Sequence, residues 1–314
     1  MKASSWIGLA LLAGCTSGPS LNAARGDITI AGTGVHPESV TSSKDGALFT
    51  GSIPGIIYRA GPHDTTAVPF VTPNAENGLQ SIFGVYADDA GGRLLACSAA
   101  VSFGPRTAGP ALPSAVVAFD LKTGKFIARY PFPAPGGTCN DMAIGPDHAL
   151  YASDTPGGRI LRLPKGGKAL EVAVADDRLK GIDGIAFGGD GALIINNVQK
   201  QEMWRVKPGA DGAAAVLTRL NVDIKLAGPD GLRSIGGNRF LQAEGTAGRA
   251  TLLTITGDNV HVQILREGLQ SSPGVTLIGR TVYAIEGKIN YLVDPTLKGK
   301  DPGPFKAIAI PLPR

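Results

Sequence analysis

Short apolar runs separated by glycine-rich turns recur along the chain, and one arrangement of them repeats six times. Each copy opens on a polar or glycine step that leads into an apolar run. The six steps are Pro37-Glu38-Ser39-Val40, Phe83-Gly84-Val85, Asn140-Asp141-Met142, Asp183-Gly184-Ile185, Asp230-Gly231-Leu232 and Pro273-Gly274-Val275. The steps return at roughly 45-residue intervals, apart from one longer gap after the second. This regularity indicates a chain built from repeated units.

A turn and a second apolar run follow each step, and a third run comes after that. Asp-Gly and Gly-Asn dipeptides at several of these turns predict β-hairpins, because these residues tolerate positive φ. The third runs cover residues 56–58, 116–118, 160–163, 203–206, 252–255 and 289–292. Fourth runs, such as 171–174 and 260–264, close most of the units.

Four short strands in each of six units predict an all-β fold, a six-bladed β-propeller with four-stranded blades. One four-stranded sheet cannot bury both of its faces, whereas six sheets packed radially can. A pair of β-sandwiches is the alternative, and the even spacing favours the propeller. We expect a single domain over residues 27–314 and an insertion loop at 101–113 in the second blade. Strands at 27–31 and 305–311 are available to close the ring.

The amino-terminal residues have a different character from the repeats. Lys2 precedes an apolar stretch at 6–13 that is too short to span a bilayer. The stretch ends in Leu12-Ala13-Gly14-Cys15, which resembles a bacterial lipobox, so we expect a signal peptide at 1–14 and a lipid on Cys15. Residues 15–26 would form a polar tether. The alternative is an ordinary secretory signal with an incidental cysteine. The prediction is a lipid-anchored protein of the bacterial cell envelope that faces the periplasm and meets the membrane only through its lipid.

Charge and cysteine usage narrow the function classes. The net charge of +4 is spread along the chain, no run of Lys and Arg occurs, and aromatic residues make up 6%. Nucleic-acid binding therefore has no support, and we expect a monomer. Cys97 and Cys139 both lie in apolar strand patterns. A disulfide is permitted in an exported protein, and buried free thiols are the favoured interpretation.

Polar side chains stand at the entries of the inner strands, which converge on the central channel of a propeller. These positions carry Glu38, Asn140 with Asp141, Asp183 and Asp230. Clustered carboxylates repel one another without a cation, and oxygen ligands with no neighbouring His or Cys suit Ca²⁺. The alternative is that these are only turn residues. Zinc is disfavoured because the four histidines, at 36, 63, 148 and 261, have no paired spacing.

The order of these steps resembles the SMP-30/gluconolactonase/LRE family, which is related to the paraoxonase lactonases. The resemblance rests on Pro-Glu at 37–38, Asn-Asp-Met-Ala-Ile-Gly-Pro-Asp-His at 140–148, Asp-Gly-Ile at 183–185 and Pro-Asp-Gly-Leu at 229–232. It covers residues 27–314. It implies a six-bladed propeller with one Ca²⁺, or another divalent cation, in the central channel, and hydrolysis of sugar lactones or other esters.

Carried over by position, the resemblance implies that Glu38, Asp183 and Asp230 are metal ligands and that Asn140 is a ligand or a substrate contact. Asp230 would also be the general base, so Asp230 and Asn140 would be the catalytic residues.

Three departures from the family pattern change this expectation. Asp183 stands where the family usually has Asn, and it adds a negative charge to the site. Phe83 stands where paraoxonases place a His, which puts a His-based mechanism in doubt. Ser39 stands where the second, structural calcium of paraoxonases uses an acid, so we expect one metal ion.

The functional hypothesis is a metal-dependent hydrolase that opens a sugar lactone or a similar ester at the channel. The alternative is a non-catalytic, metal-stabilised propeller that binds a small ligand or a protein partner in the cell envelope. Asp141 and Phe83 would lie beside the site. Further side chains at the ends of the second strands either line a substrate rim or hydrogen-bond between blades: Ser98, Asp154, Asn196, Asn197, Glu244 and Glu286.

Overall fold

The computed structural model describes residues 25–103, 110–209 and 214–314. Nearly all regular structure in these ranges is β-strand. The predicted signal peptide and Cys15, the predicted lipidation site, lie outside the described residues.

The strands follow one another in chain order through six blades. Strand β1 is Ile28–Ile30, and blade 1 consists of β2 (Pro37–Ser42), β3 (Leu48–Ser52), β4 (Ile57–Ala60) and β5 (Thr66–Val71). Blade 2 consists of β6 (Ser81–Asp88), β7 (Arg93–Ala99), β8 (Ala115–Asp120) and β9 (Phe126–Pro131). Blade 3 consists of β10 (Cys139–Ile144), β11 (Leu150–Asp154), β12 (Arg159–Leu163) and β13 (Glu171–Ala175), and a 3-10 turn at Asp177–Leu179 follows it.

The second half of the chain continues the same plan. Blade 4 consists of β14 (Ile182–Phe187), β15 (Leu193–Asn197), β16 (Glu202–Lys207) and β17 (Val216–Arg219). The short strand β18 (Asn221–Val222) pairs with the outer strand of blade 5, which consists of β19 (Pro229–Ser234), β20 (Arg239–Glu244), β21 (Arg249–Thr256) and β22 (Asn259–Arg266). Blade 6 consists of β23 (Val275–Ile278), β24 (Thr281–Ile285), β25 (Phe305–Pro311) and β1, and α1 (Asn290–Val293) is a single helical turn.

The first strands of the six blades surround a common axis. Strands β2, β6, β10, β14, β19 and β23 contact one another in that order, and β23 contacts β2. Six apolar clusters fill the spaces between neighbouring blades, one for each pair. Each blade therefore buries both faces against its neighbours, and the predicted propeller fold is confirmed.

The two ends of the described chain close the ring. Strand β1 pairs antiparallel with β25 and parallel with β5. It is thus the outer strand of blade 6 and joins blades 1 and 6 into one eight-stranded sheet. The two terminal segments predicted to close the ring, 27–31 and 305–311, therefore both take part in closure.

The third strand predicted at residues 289–292 is wrong. That segment forms the helical turn α1, and β25 supplies the third strand of blade 6 instead. The run Ile289-Asn290-Tyr291-Leu292 is too short for its pattern to separate a strand from one helical turn.

The described residues bear on the predicted insertion loop and on membrane-spanning helices. The insertion predicted at 101–113 lies between β7 and β8, and its described residues, 101–103 and 110–113, contain no strand. Residues 104–109 lie outside the described part of the chain. Within the described ranges, no helix has the length and apolarity needed to cross a membrane.

Cys97 and Cys139 form a disulfide, so the expectation of free thiols is wrong. Cys97 lies in β7 of blade 2 and Cys139 opens β10 of blade 3, with their Cα atoms 5.1 Å apart. Both side chains are buried in the apolar cluster between these blades. Radial packing brings together two cysteines that are 42 residues apart, a proximity that their spacing does not reveal.

Two glycines allow the inner strands to approach one another closely. A Cβ atom on Gly84 would lie 2.3 Å from the carbonyl oxygen of Asn140, and one on Gly184 would lie 2.4 Å from that of Asp230. In both cases the nearest atom belongs to the backbone of the next blade, which cannot move without opening the ring. Glycine at these steps is therefore a packing requirement.

We expect Gly184→Ala to lower the free energy of unfolding by about 1–3 kcal/mol, because overpacking forces neighbouring backbone apart. Chemical denaturation measures this loss. The control is Gly26→Ala, since a Cβ there meets no atom within 4 Å. Equal stability of the two variants would contradict the close packing of blades 4 and 5.

Candidate functional site

The predicted inner-strand residues lie at β-bulges. The pairing of the first and second strands shifts register between Pro37 and Ser39, Ile82 and Gly84, Cys139 and Met142, Ile182 and Ile185, and Pro229 and Leu232. The shifted segments contain Glu38, Phe83, Asn140 with Asp141, Asp183 and Asp230. A bulge leaves a residue out of the regular ladder and re-aims its side chain. In five blades the backbone therefore departs from the ladder where the predicted site residues stand.

Four of these residues form what we call the axial acid cluster: Glu38, Asn140, Asp183 and Asp230. The amide Nδ2 of Asn140 donates to Asp183 Oδ2 over 2.8 Å and to Thr155 Oγ1 over 3.0 Å. The charge of Asp183 acts on Asp230, and the charges of both act on Glu38. The structure thus brings side chains from blades 1, 3, 4 and 5 into one neighbourhood.

The enclosure strongly disfavours ionisation of these carboxyl groups. Burial raises the pKa of Glu38 well above its ordinary value, and the charges of Asp230 and Asp183 raise it further. Burial also raises the pKa of Asp183, and the charge of Asp141 adds to the effect. For Asp230, burial and then the charge of Asp183 raise the pKa well above the usual range. Neighbouring acids of this kind are stabilised either by protons or by a cation.

The donor set fits a hard cation. Among the described residues, Glu38 Oε2 and Asp183 Oδ1 are buried oxygens without a hydrogen-bond partner. Every side chain of the cluster offers oxygen, which suits Ca²⁺. The described residues contain no group of three or more His, Cys, Asp or Glu side chains already arranged to hold a metal ion. Asn140 directs its amide nitrogen, not its oxygen, towards Asp183.

The cluster is deep but remains accessible to solvent. Glu38 and Asp230 keep partial exposure although protein surrounds them closely, whereas Asp183 and Asn140 are buried. Two cavities, of about 310 and 460 Å³, lie elsewhere, between blades 4 and 5 beside Phe240 and between blades 1 and 2 beside Phe126. None of the four residues of the axial acid cluster lines either cavity.

Most of the predicted rim residues make structural contacts. Asp154 and Glu244 are fully buried. Each ends a second strand and pairs with the arginine that opens the third strand of the same hairpin, Arg159 at 2.7 Å and Arg249 at 2.9 Å. Asn196 hydrogen-bonds to Asp230 O and Gln242 of the next blade, as the inter-blade alternative proposed.

The remaining candidates are held in local contacts. Ser98 Oγ accepts from Gln80 N, Asn197 Nδ2 donates to Lys180 O, and Glu286 Oε1 accepts from Gln270 N. Phe83 packs against the apolar cluster between blades 2 and 3.

Arg233 is a buried residue of the axis that the sequence pattern did not predict. Its Nη1 donates to both carboxylate oxygens of Asp141, at 2.9 and 2.7 Å, and this ion pair is buried. Arg233 follows Leu232 on the inner strand β19, where the other blades carry Thr41, Tyr86, Ala143, Ala186 and Thr276. Arg233 is the one basic residue among these six equivalent positions, and this difference could have identified it from the sequence.

Comparison with solved structures places the chain among β-propellers. A candidate gluconolactonase is 17% identical, with a TM-score of 0.63 over 92% of this chain and 94% of its own. Virginiamycin B lyase from Staphylococcus aureus is 15% identical, with a TM-score of 0.58 over 91% and 98%. The PQQ-bound aldose sugar dehydrogenase from Streptomyces coelicolor is 16% identical, with a TM-score of 0.58 over 92% and 99%.

No family model matches the chain, and neither does any curated protein sequence. The structural neighbours include a propeller of the lactonase type that the sequence resemblance indicated. At these identities the likeness establishes the fold, and the function must be argued from the site.

We expect the chelator-treated protein to lose stability as the pH rises from about 6.5 to about 8. The raised pKa values of Glu38, Asp183 and Asp230 mean that the native state keeps protons that the unfolded chain has lost. Burial lowers the pKa of His36, so its contribution falls below this window. Each proton retained gives a slope of at most about 1.4 kcal/mol per pH unit.

Urea denaturation in chelator at several pH values measures this slope. Asp183→Asn should flatten it, because the amide does not titrate. A stability that increases with pH across this window would show that the three acids are not enclosed together.

Proposed function

We propose that this protein is a divalent-cation-dependent hydrolase that opens a sugar lactone or a similar ester at the axial acid cluster. The observation that carries the proposal is the convergence of oxygen side chains from four blades on one enclosure that solvent can reach. Three of these side chains are carboxyl groups whose mutual repulsion a cation would relieve. The structural likeness to a candidate gluconolactonase agrees with this proposal.

Calcium is the cation that the cluster suits best. Glu38, Asp183 and Asp230 would hold it through carboxylate oxygens, and Asn140 through its amide oxygen after rotation of the amide group. Three carboxylates give more negative charge than the family pattern, in which Asp183 is usually Asn. We therefore expect tight binding of the cation and a weaker Lewis acid. When bound, the cation would polarise the carbonyl group of the ester.

The chain's own residues would supply the proton transfer and the positioning. Asp230 keeps partial solvent exposure and accepts a hydrogen bond from Gly231 N over 2.9 Å, which fixes the direction of its carboxyl group. As a general base it would take the proton of the attacking water. The amide of Asn140 would bind the substrate beside it and donate to the oxygen on which charge develops.

A non-catalytic, metal-stabilised propeller that binds a ligand or a partner is the second candidate. A purely structural ion needs no approach from solvent, whereas a catalytic ion needs an open position. The partial exposure of Glu38 and Asp230 favours the hydrolase for this reason.

We expect hydrolysis of at least one aldono-, γ- or δ-lactone in a panel assayed with Ca²⁺, and its loss with chelator. Asp230→Asn and Glu38→Gln should each reduce kcat/KM by a factor of about 100 or more, because one removes the base and the other a ligand. Asp147→Asn is the matched control, since Asp147 lies at the surface in an ion pair with Arg162. Full activity in either site variant would refute the assigned site. Ca²⁺-dependent stability without turnover of any lactone would support the binding propeller.

We also propose that the protein is anchored by a lipid on Cys15 and faces the periplasm. The disulfide between Cys97 and Cys139 supports an exported protein, because such bonds persist in oxidising compartments.

Cys15→Ser should move the protein from the membrane fraction to the soluble fraction of the cell envelope, because the acceptor thiol of the lipid is lost. Immunoblots of fractionated cells measure the distribution. Cys97→Ser, which breaks the disulfide but keeps Cys15, is the control and should stay in the membrane fraction. Retention of the Cys15→Ser variant in the membrane would contradict the lipid anchor.

A further inference from the structure

Arg233 links four blades at the axis of the propeller. Its side chain starts on β19 of blade 5, and its Nη1 reaches both carboxylate oxygens of Asp141 on blade 3. Its Nη2 donates to Val85 O of blade 2 over 3.1 Å and approaches Ser39 Oγ of blade 1 at 3.4 Å. The side chain is 10% exposed, so these contacts are made almost without water.

The acceptors around Arg233 form what we call the axial oxygen cage. It consists of the Asp141 carboxylate, the carbonyl oxygens of Val85 and Leu232, and the hydroxyl of Ser39. The backbone N–H of Ile185 in blade 4 also points to Asp141 Oδ2, at 3.4 Å. Five of the six blades therefore meet at this one ion pair.

This arrangement differs from an ordinary ion pair between two side chains. Carboxylate, carbonyl and hydroxyl oxygens are the ligands that proteins use for hard cations. Here they surround a guanidinium, which is permanently charged and offers several donors in one plane. Asp141 would be a buried, uncompensated acid without it, and removal of one partner from a buried pair is strongly destabilising.

We propose that Arg233 is a built-in axial cation, which fills an oxygen cage that would otherwise require a bound metal ion. The blades are then tied together at this level without any exchangeable ion. The inference does not depend on hydrolase activity, and it concerns a different set of contacts from the axial acid cluster.

Arg233→Ala should convert the axial oxygen cage into a Ca²⁺ site. The variant leaves a carboxylate, two carbonyls and a hydroxyl around an empty space, so it should bind one more Ca²⁺ per chain than the wild type. Without Ca²⁺ its Tm should fall by roughly 5–15 °C. Millimolar Ca²⁺ or methylguanidinium should restore much of the loss, because each returns positive charge to the cage. The wild type should show no stabilisation by methylguanidinium.

Two measurements test the proposal: calorimetric titration with Ca²⁺ and thermal unfolding. Both are made on Arg233→Ala, Arg233→Lys and Arg162→Ala. Arg233→Lys keeps the charge and should unfold between the wild type and Arg233→Ala. Arg162→Ala removes a surface arginine that pairs with Asp147 and Glu171, and it should gain no Ca²⁺ site.

The decisive quantity is the number of Ca²⁺ ions bound per chain by Arg233→Ala minus the number bound by the wild type. This difference tests the cage whatever number of ions the wild type binds. An Arg233→Ala protein that folds in chelator as stably as the wild type would overturn the proposal. So would a destabilised or unfolded variant that neither Ca²⁺ nor methylguanidinium rescues. Absence of Ca²⁺ binding by the wild type, with a gain in the variant, would instead support the cage and refute the acid cluster as a metal site.

Discussion

The enclosure of three carboxyl groups at the axis is the constraint on which the account of this protein depends. Ring closure forces the inner strands together, and bulges at their entries direct Glu38, Asp183 and Asp230 towards one another. The enclosure raises the pKa of all three acids, chiefly through burial. A fold stabilised only by apolar clusters between blades has no need of such a group. Its presence is therefore best explained by a ligand that it binds.

Two groups of charged side chains at the axis are stabilised in different ways. The acid cluster keeps buried oxygens that lack a partner among the described residues, and two of its acids remain partly exposed. Asp141 is instead compensated by Arg233, which also binds the backbone of blades 2 and 5. We interpret the acid cluster as the exchangeable, functional site and the Arg233–Asp141 pair as a fixed tie between blades.

The repeat pattern predicted the propeller, its inner strands and the residues at their entries, because hairpin turns and blade spacing are local properties of the chain. It failed at residues 289–292, where a run of four residues is too short to distinguish a strand from a helical turn. The disulfide and the contacts of Arg233 depend on which blades are neighbours in space, and residue spacing contains little information on that. Asp154 and Glu244 were candidate rim residues, but each is paired with an arginine in its own hairpin. The sequence identified which residues could be metal ligands. That their side chains lie close together was learned from the structure.

Calcium binding to the chelator-treated protein tests the central claim most directly. Titration calorimetry near neutral pH, in buffers of different ionisation enthalpy, measures both the stoichiometry and the protons released. We predict saturable binding of one Ca²⁺ with proton release, because a cation displaces the protons held by the buried carboxyl groups. Binding should disappear in Glu38→Gln. No saturable binding at millimolar Ca²⁺, or binding that is unchanged in Glu38→Gln, would contradict the account.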